Sequence, residues 1–264
     1  MKHTIEVCGK KLQYAVIGNG KRAFVMIPGM SLKSTLISEA SVAAAYKALT
    51  EAYTIYLFDV RFDIEEGYCL EDYAEEIAEA LQALSIKKAT VFGYSMGGMA
   101  AQLLTIRHPE LVERLILVST MCHTTPTAQA VIGYWHELAK AGETKALAEN
   151  ITDHVYSETT LAKYRRAILA MNRNISAEEM KRASCLTKAL VSFDCRDGLR
   201  NISCPVLVVG SENDRVLGVE GPLEIAEALQ CERHLYPGNY GHAVCDEATD
   251  FVDRITKFCM KYKD

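Results

Sequence analysis

A serine set among glycines is the first place where this sequence could do chemistry. Gly93-Tyr94-Ser95-Met96-Gly97-Gly98 follows an apolar segment with strand character, Ala89–Phe92, and precedes a helical pattern, Met96–Arg107. A G-x-S-x-G run between a strand and a helix makes a sharp, strained turn that lifts the serine hydroxyl above the strand ends. A Cβ at Gly93 or Gly97 would meet neighbouring backbone, which is why glycine is needed there. The helix that starts behind Ser95 offers partial positive charge and free N–H groups, both suited to a developing oxyanion. The N–H of Met96, directly after the serine, is the first candidate donor. The competing account is a turn whose serine only caps a helix.

A serine hydroxyl is a weak nucleophile until a base takes its proton, and histidine titrates near neutral pH. Of seven histidines, His242 stands in Asn239-Tyr240-Gly241-His242, a loop after the last strand pattern and before the last helix. From a loop its side chain can reach a neighbouring strand end. His123, just after the strand that ends at Ser119, is the rival. His108 stops a helix before Pro109, at the far end from Ser95, and the others read as solvent-side residues. The imidazole needs a carboxylate to fix its tautomer and stabilise its cation. Asp214 and Glu212 both follow the strand Pro205–Gly210, whereas Ser119-Thr120-Met121-Cys122, after the preceding strand, has no carboxylate.

These side chains lie far apart in sequence, so a sheet must bring them together. Strand patterns appear at Thr4–Cys8, Leu12–Ile17, Ala23–Ile27, Tyr53–Val60, Ala89–Phe92, Leu111–Ser119, Pro205–Gly210 and Glu232–Tyr236. From the third strand on, helical spacing alternates with them at Ser34–Thr50, Leu70–Leu84, Met96–Arg107, Val219–Leu229 and Asp246–Tyr262. That alternation predicts βαβ units and a parallel sheet whose strands are apolar on both faces. The rhythm stops between about Met121 and Asn201, where helical spacing runs on without a convincing strand. Gly142, Thr152-Asp153 and Asn174–Ser176 read as connections between short helices there. Residues 1–120 and 202–264 are therefore expected to form one core, and 121–201 a helical lid inserted over the strand ends.

The stretch Gly93–Gln102, G-Y-S-M-G-G-M-A-A-Q, followed by Arg107-His108-Pro109-Glu110, resembles the α/β-hydrolase superfamily. It is most similar to the branch of enol-lactonases, small-ester carboxylesterases and cofactor-free peroxidase-like relatives. Phe193–Pro205 resembles that family's return from lid to sheet. The resemblance spans nearly the whole chain and implies a mostly parallel eight-stranded sheet flanked by helices. It implies Ser95 as nucleophile, Asp214 as the acid and His242 as the base, in the order Ser, Asp, His. It also implies a second oxyanion donor from the loop after Ala23–Ile27, which makes the N–H of Met30 the candidate. This sequence departs from the family in reading Pro28-Gly29-Met30 where His-Gly-X is usual. It also has Asp59-Val60-Arg61-Phe62-Asp63 in place of a glycine-rich loop, and Asp59 reads as structural.

Composition narrows the remaining classes. The net charge of −5 is spread along the chain without a Lys/Arg run, so no footprint for nucleic acid appears. Apolar runs are strand-sized, too short to span a bilayer, and the N-terminus lacks a signal-peptide pattern. Nine scattered cysteines without a Cys-x-x-Cys pair argue against a zinc site and for reduced thiols in the cytoplasm. Gly18-Asn19-Gly20-Lys21-Arg22-Ala23 mimics a dinucleotide fingerprint but leads into a strand, so it reads as a turn. The expected activity is cleavage of a small carboxylic ester or lactone through an acyl-enzyme on Ser95, with no cofactor and no metal. The alternatives are a ligand-binding protein with an idle triad, or a lyase or perhydrolase on the same scaffold.

Overall fold

The computed structural model describes residues 2–261. The Tyr262 end of the last expected helix lies outside them. Eight strands form one sheet: β1 Lys2–Val7, β2 Lys10–Ile17, β3 Arg22–Ile27, β4 Tyr53–Phe58, β5 Ala89–Tyr94, β6 Val112–Val118, β7 Val206–Ser211 and β8 Glu232–Tyr236. Their spatial order is β1-β2-β4-β3-β5-β6-β7-β8. β2 pairs antiparallel with both β1 and β4, and every other pair is parallel.

The central strands are apolar on both faces because each face has its own core. On β5 and β6, Val91, Leu115 and Leu117 enter one core while Phe92, Ile116 and Val118 enter the other. The first core takes α2 (Leu70–Ala83), α3 (Met96–Arg107) and α8 (Glu220–Leu229); the second takes α10 (Phe251–Lys261) and the segment around Tyr46. In α2, Leu70, Tyr73, Ala74, Ile77 and Leu81 make the buried stripe, at helical spacing. Burying one Leu- or Ile-sized side chain stabilises by about 1.5–3 kcal/mol, so these two cores hold the sheet as a rigid platform.

Two expected helices are broken. Ser34–Thr50 is a 3-10 turn at Thr35–Ser38, a short α1 at Glu39–Ala45 and a second 3-10 turn at Lys47–Leu49. Its start is tied to Asp59, whose carboxylate accepts from the Ser34 and Thr35 hydroxyls and from the Thr35 and Val60 N–H groups. Asp59 is thus a structural fastener. The last expected helix is split into α9 (Val244–Glu247) and α10, because Ala248 is extended (φ −90°, ψ 118°).

Between β6 and β7 the chain forms α4 (Pro126–Lys140), α5 (Thr144–Val155), α6 (Glu158–Met171) and α7 (Ala177–Leu190). Gly142 and Asn174–Ser176 do separate helices, but Thr152-Asp153 does not. The Thr152 hydroxyl bonds back to the Ala148 carbonyl inside α5. Ser157 makes the break instead, its side chain accepting from Thr160 N–H at the start of α6. No described helix is long and apolar enough to cross a membrane.

Candidate active site

Ser95 sits between the end of β5 and the start of α3 with φ 53° and ψ −121°. That conformation is strained for a residue with a side chain, and the surroundings enforce it. Ser95 N–H donates to the Val118 carbonyl (2.9 Å), and its own carbonyl accepts from Gly98 N–H (2.9 Å) and the Thr120 hydroxyl (2.8 Å). A Cβ on Gly97 would strike the Ile27 and Pro28 carbonyl oxygens. The turn can therefore be this tight only with glycine at that position.

His242 and Asp214 arrive from the loops after β8 and β7. The His242 ring lies with Nε2 3.0 Å from Ser95 Oγ and Nδ1 2.7 Å from Asp214 Oδ2. The carboxylate assigns the tautomer: Nδ1–H donates to Asp214, leaving Nε2 to accept from the serine hydroxyl. Asp214 Oδ1 accepts from the N–H groups of Val216 and Leu217, both at 2.9 Å, so each carboxylate oxygen is engaged. His242 and Asp214 are buried, at 2 % and 5 % exposure. Glu212, the competing acid, is exposed on the surface. His123, the rival base, pairs with Glu224 at 3.0 Å and does not line the cavity around Ser95.

The loop after β3 runs against the serine. A Cβ on Gly29 would come within 3.0 Å of the Ser95 Cβ, and Met30 lines the same cavity as Ser95. Met96 is buried as the first residue of α3, where an N–H has no carbonyl acceptor within the helix.

The model of the alpha/beta hydrolase fold family matches residues 23–249. This chain belongs to that family. Among its relatives, a Rhizobium rhizogenes protein carrying the name of a carbamate hydrolase, RutD, is 23% identical over 225 residues, covering 82% of this chain and 86% of the relative. The 3-oxoadipate enol-lactonase 1 of Acinetobacter baylyi is 25% identical over 193 residues, covering 70% of this chain and 71% of the relative. Among solved structures, the α/β hydrolase MGS-M2 from a Medee basin deep-sea metagenome library superposes with a TM-score of 0.87 at 21% identity, covering 99% of this chain and 98% of the other.

In this α/β-hydrolase the cavity over Ser95 has a volume of about 470 Å³. Ile132, Trp135, Ile151, Ile168 and Met171 of the inserted helices form much of its wall. Of the aromatic residues in the inserted block, Trp135 and Tyr156 line it. Phe193 is buried elsewhere, while Tyr134 and Tyr164 are exposed. Cys245 also lines the cavity, but burial and then Asp246 push its thiol well above its ordinary range, which removes thiolate character.

Several side chains that hold the site were not singled out from sequence. Ser119, at the end of β6, donates to the His242 carbonyl at 2.7 Å, and Thr120 holds the Ser95 carbonyl. The segment that lacks a carboxylate thus fastens both the serine and the histidine. Arg182 of α7 is almost fully buried and donates to the carbonyls of Ser31 (2.6 Å), Lys33 (3.2 Å) and Val60 (3.2 Å). Burial pulls its guanidinium below the usual value, with Asp59 opposing that shift. On the other side, Arg215 donates to the carbonyls of Asp153 and Tyr156, and Glu247 accepts from the N–H groups of Gly241 and Ser157. A Cβ on Gly241 would crowd the backbone of residues 155–157, at 2.7–2.9 Å. For Arg182 the one sequence signal was a charge among α7's apolar positions; for the rest there was none.

Proposed function

We propose that this chain is a serine hydrolase that cleaves a small carboxylic ester or lactone by two-step acyl transfer. The observation that carries the reading is the unbroken line from Ser95 Oγ through His242 to Asp214, at 3.0 and 2.7 Å. His242 Nε2 takes the hydroxyl proton as Ser95 attacks the carbonyl carbon. Asp214 keeps the ring oriented and stabilises the imidazolium. The N–H groups of Met30 and Met96 bind the oxyanion, and the imidazolium then protonates the leaving alcohol. Water deprotonated by His242 attacks the acyl-Ser95 ester, and collapse of that adduct returns the serine and releases the acid.

The segment 121–201 acts in this reading as a lid that shapes the substrate cavity. The moderate cavity volume supports a substrate of small size. The names of relatives, an enol-lactonase and a carbamate hydrolase, fit acyl transfer to water. A reducing compartment, the cytoplasm, fits nine free cysteines.

Fluorophosphonate labelling tests the reading. The chain should be labelled stoichiometrically at Ser95 and Ser95→Ala should not. A folded wild-type protein that resists the reagent and hydrolyses no member of an ester panel would refute it.

A further inference from the structure

The cavity over Ser95 is lopsided in charge. Among the described residues, no lysine or arginine lines it, and Asp246 is the one carboxylate on its wall. Asp246 stands on α9, four residues past His242, and is partly open to solvent. Three tyrosines share the cavity with it, and one of them touches it. The Tyr156 hydroxyl donates to Asp246 Oδ2 at 3.3 Å. The Tyr46 and Tyr94 phenols are raised well above their ordinary range, first by burial and then by the nearby Cys245 and Asp246. All three tyrosines line the cavity. The neighbouring Glu247 is spent elsewhere, on the N–H groups of Gly241 and Ser157.

A lone carboxylate in a cavity that tyrosines also line suits one kind of ligand group. A cation gains the Coulomb attraction and the negative faces of the rings together. An anion entering the same space finds a like charge and no lysine or arginine to offset it, and both anions lose solvation. Burial raises the Asp246 carboxyl above the usual range, although the Tyr156 hydroxyl opposes the shift. A bound cation would offset that desolvation. The inserted helices, with Ile132, Trp135, Ile151, Ile168 and Met171, offer mostly apolar surface to the rest of the ligand.

We propose that the site selects esters bearing an ammonium group, held by Asp246 among Tyr46, Tyr94 and Tyr156, and rejects esters bearing a carboxylate. This names the substrate class of the acyl-transfer site above and rests on that reading. The apolar remainder of the ester lies against the α4–α6 wall. Asp246 is a specificity residue; it takes no proton in the reaction.

The test uses two matched series on the full chain. One varies the alcohol: butyrylcholine, 3,3-dimethylbutyl butyrate and 3-butyryloxypropionate. The other varies the acid: the methyl esters of 4-trimethylammoniobutyrate and 5,5-dimethylhexanoate, and monomethyl glutarate. In at least one series kcat/KM should fall from cation to neutral isostere by about tenfold and again from neutral to anion. In Asp246→Asn the cation-to-neutral ratio should collapse toward one, while Asp246→Glu keeps it above one; fluorophosphonate labelling of both variants reports an intact site. Equal rates, or an anion preference, in both series would overturn the proposal while leaving acyl transfer standing. If acyl transfer itself fails, calorimetry on Ser95→Ala decides the charge preference alone. Phenyltrimethylammonium binding that outranks phenylacetate, and that Asp246→Asn abolishes, supports it. No binding of the cation, or tighter binding of phenylacetate, overturns it.

Discussion

The ends of the strands and the four helices between β6 and β7 are held in different ways. Ser95 and Asp214 stand on loops rooted in strands buried on both faces and are each fixed by several hydrogen bonds, while His242 follows the edge strand β8 and is tied through its carbonyl to Ser119. In the inserted block, α6 has no buried residue, and Met171 is 65% exposed while also lining the cavity. The other three helices send Ile132, Trp135, Leu147 and Leu186 into the first core, and polar ties add to this: Arg182 at the loop after β3, Arg215 at the end of α5, Glu247 at the start of α6. The proposed reacting groups thus rest on the sheet, and α6, which meets the cavity through Ile168 and Met171, is the weakly packed part of the inserted block. Chemistry should therefore be sensitive to the first region and substrate preference to the second.

Substitutions can break that division or sharpen it. The largest effect is expected for Ser95→Ala, which should lower kcat for any hydrolysed ester by roughly 10⁴–10⁶ with the thermal midpoint almost unchanged. Asp214→Asn should reduce kcat by about 10⁴ through the wrong imidazole tautomer, measured in steady-state kinetics. Leu115→Ala, in the sheet, should cost about 2–5 kcal/mol in denaturant unfolding. Arg182→Leu leaves three carbonyls without their donor and should cost about 2–4 kcal/mol. It should also lower kcat, because the loop that carries Met30 loses its anchor. The smallest effect is expected for Ile168→Ala on α6: about 1 kcal/mol or less in stability, with the change appearing in KM as acyl chain length is varied. An α6 substitution as costly as Leu115→Ala would dissolve the contrast between the two regions.

Much of the strand-end region was readable in the sequence because its signals are short-range. The glycine spacing around Ser95 reports a turn that only glycine permits, and continuous apolar runs such as Leu115–Val118 report strands buried on both faces. Asp214 and His242 were legible through their places in the chain order. Where the sequence misled, tertiary contacts outweighed local pattern. Ser34–Thr50 has helical spacing, yet Asp59 captures its first residues. Thr152-Asp153 looks like a helix boundary, yet the Thr152 hydroxyl is satisfied inside α5. Asp246 left no functional signature, and Arg182 only a charge among apolar positions, since a lone charge acquires its role from residues distant in sequence that fold around it.

Gly241 carries one more consequence. Its missing side chain makes room for the backbone of residues 155–157, so the histidine loop and the inserted helices are closely fitted to each other there. Grafting the helical block of a relative onto this sheet would succeed only if the donor's own α5–α6 corner leaves that gap free. Otherwise the transplant would displace the imidazole, and a change intended to alter substrate choice would silence turnover.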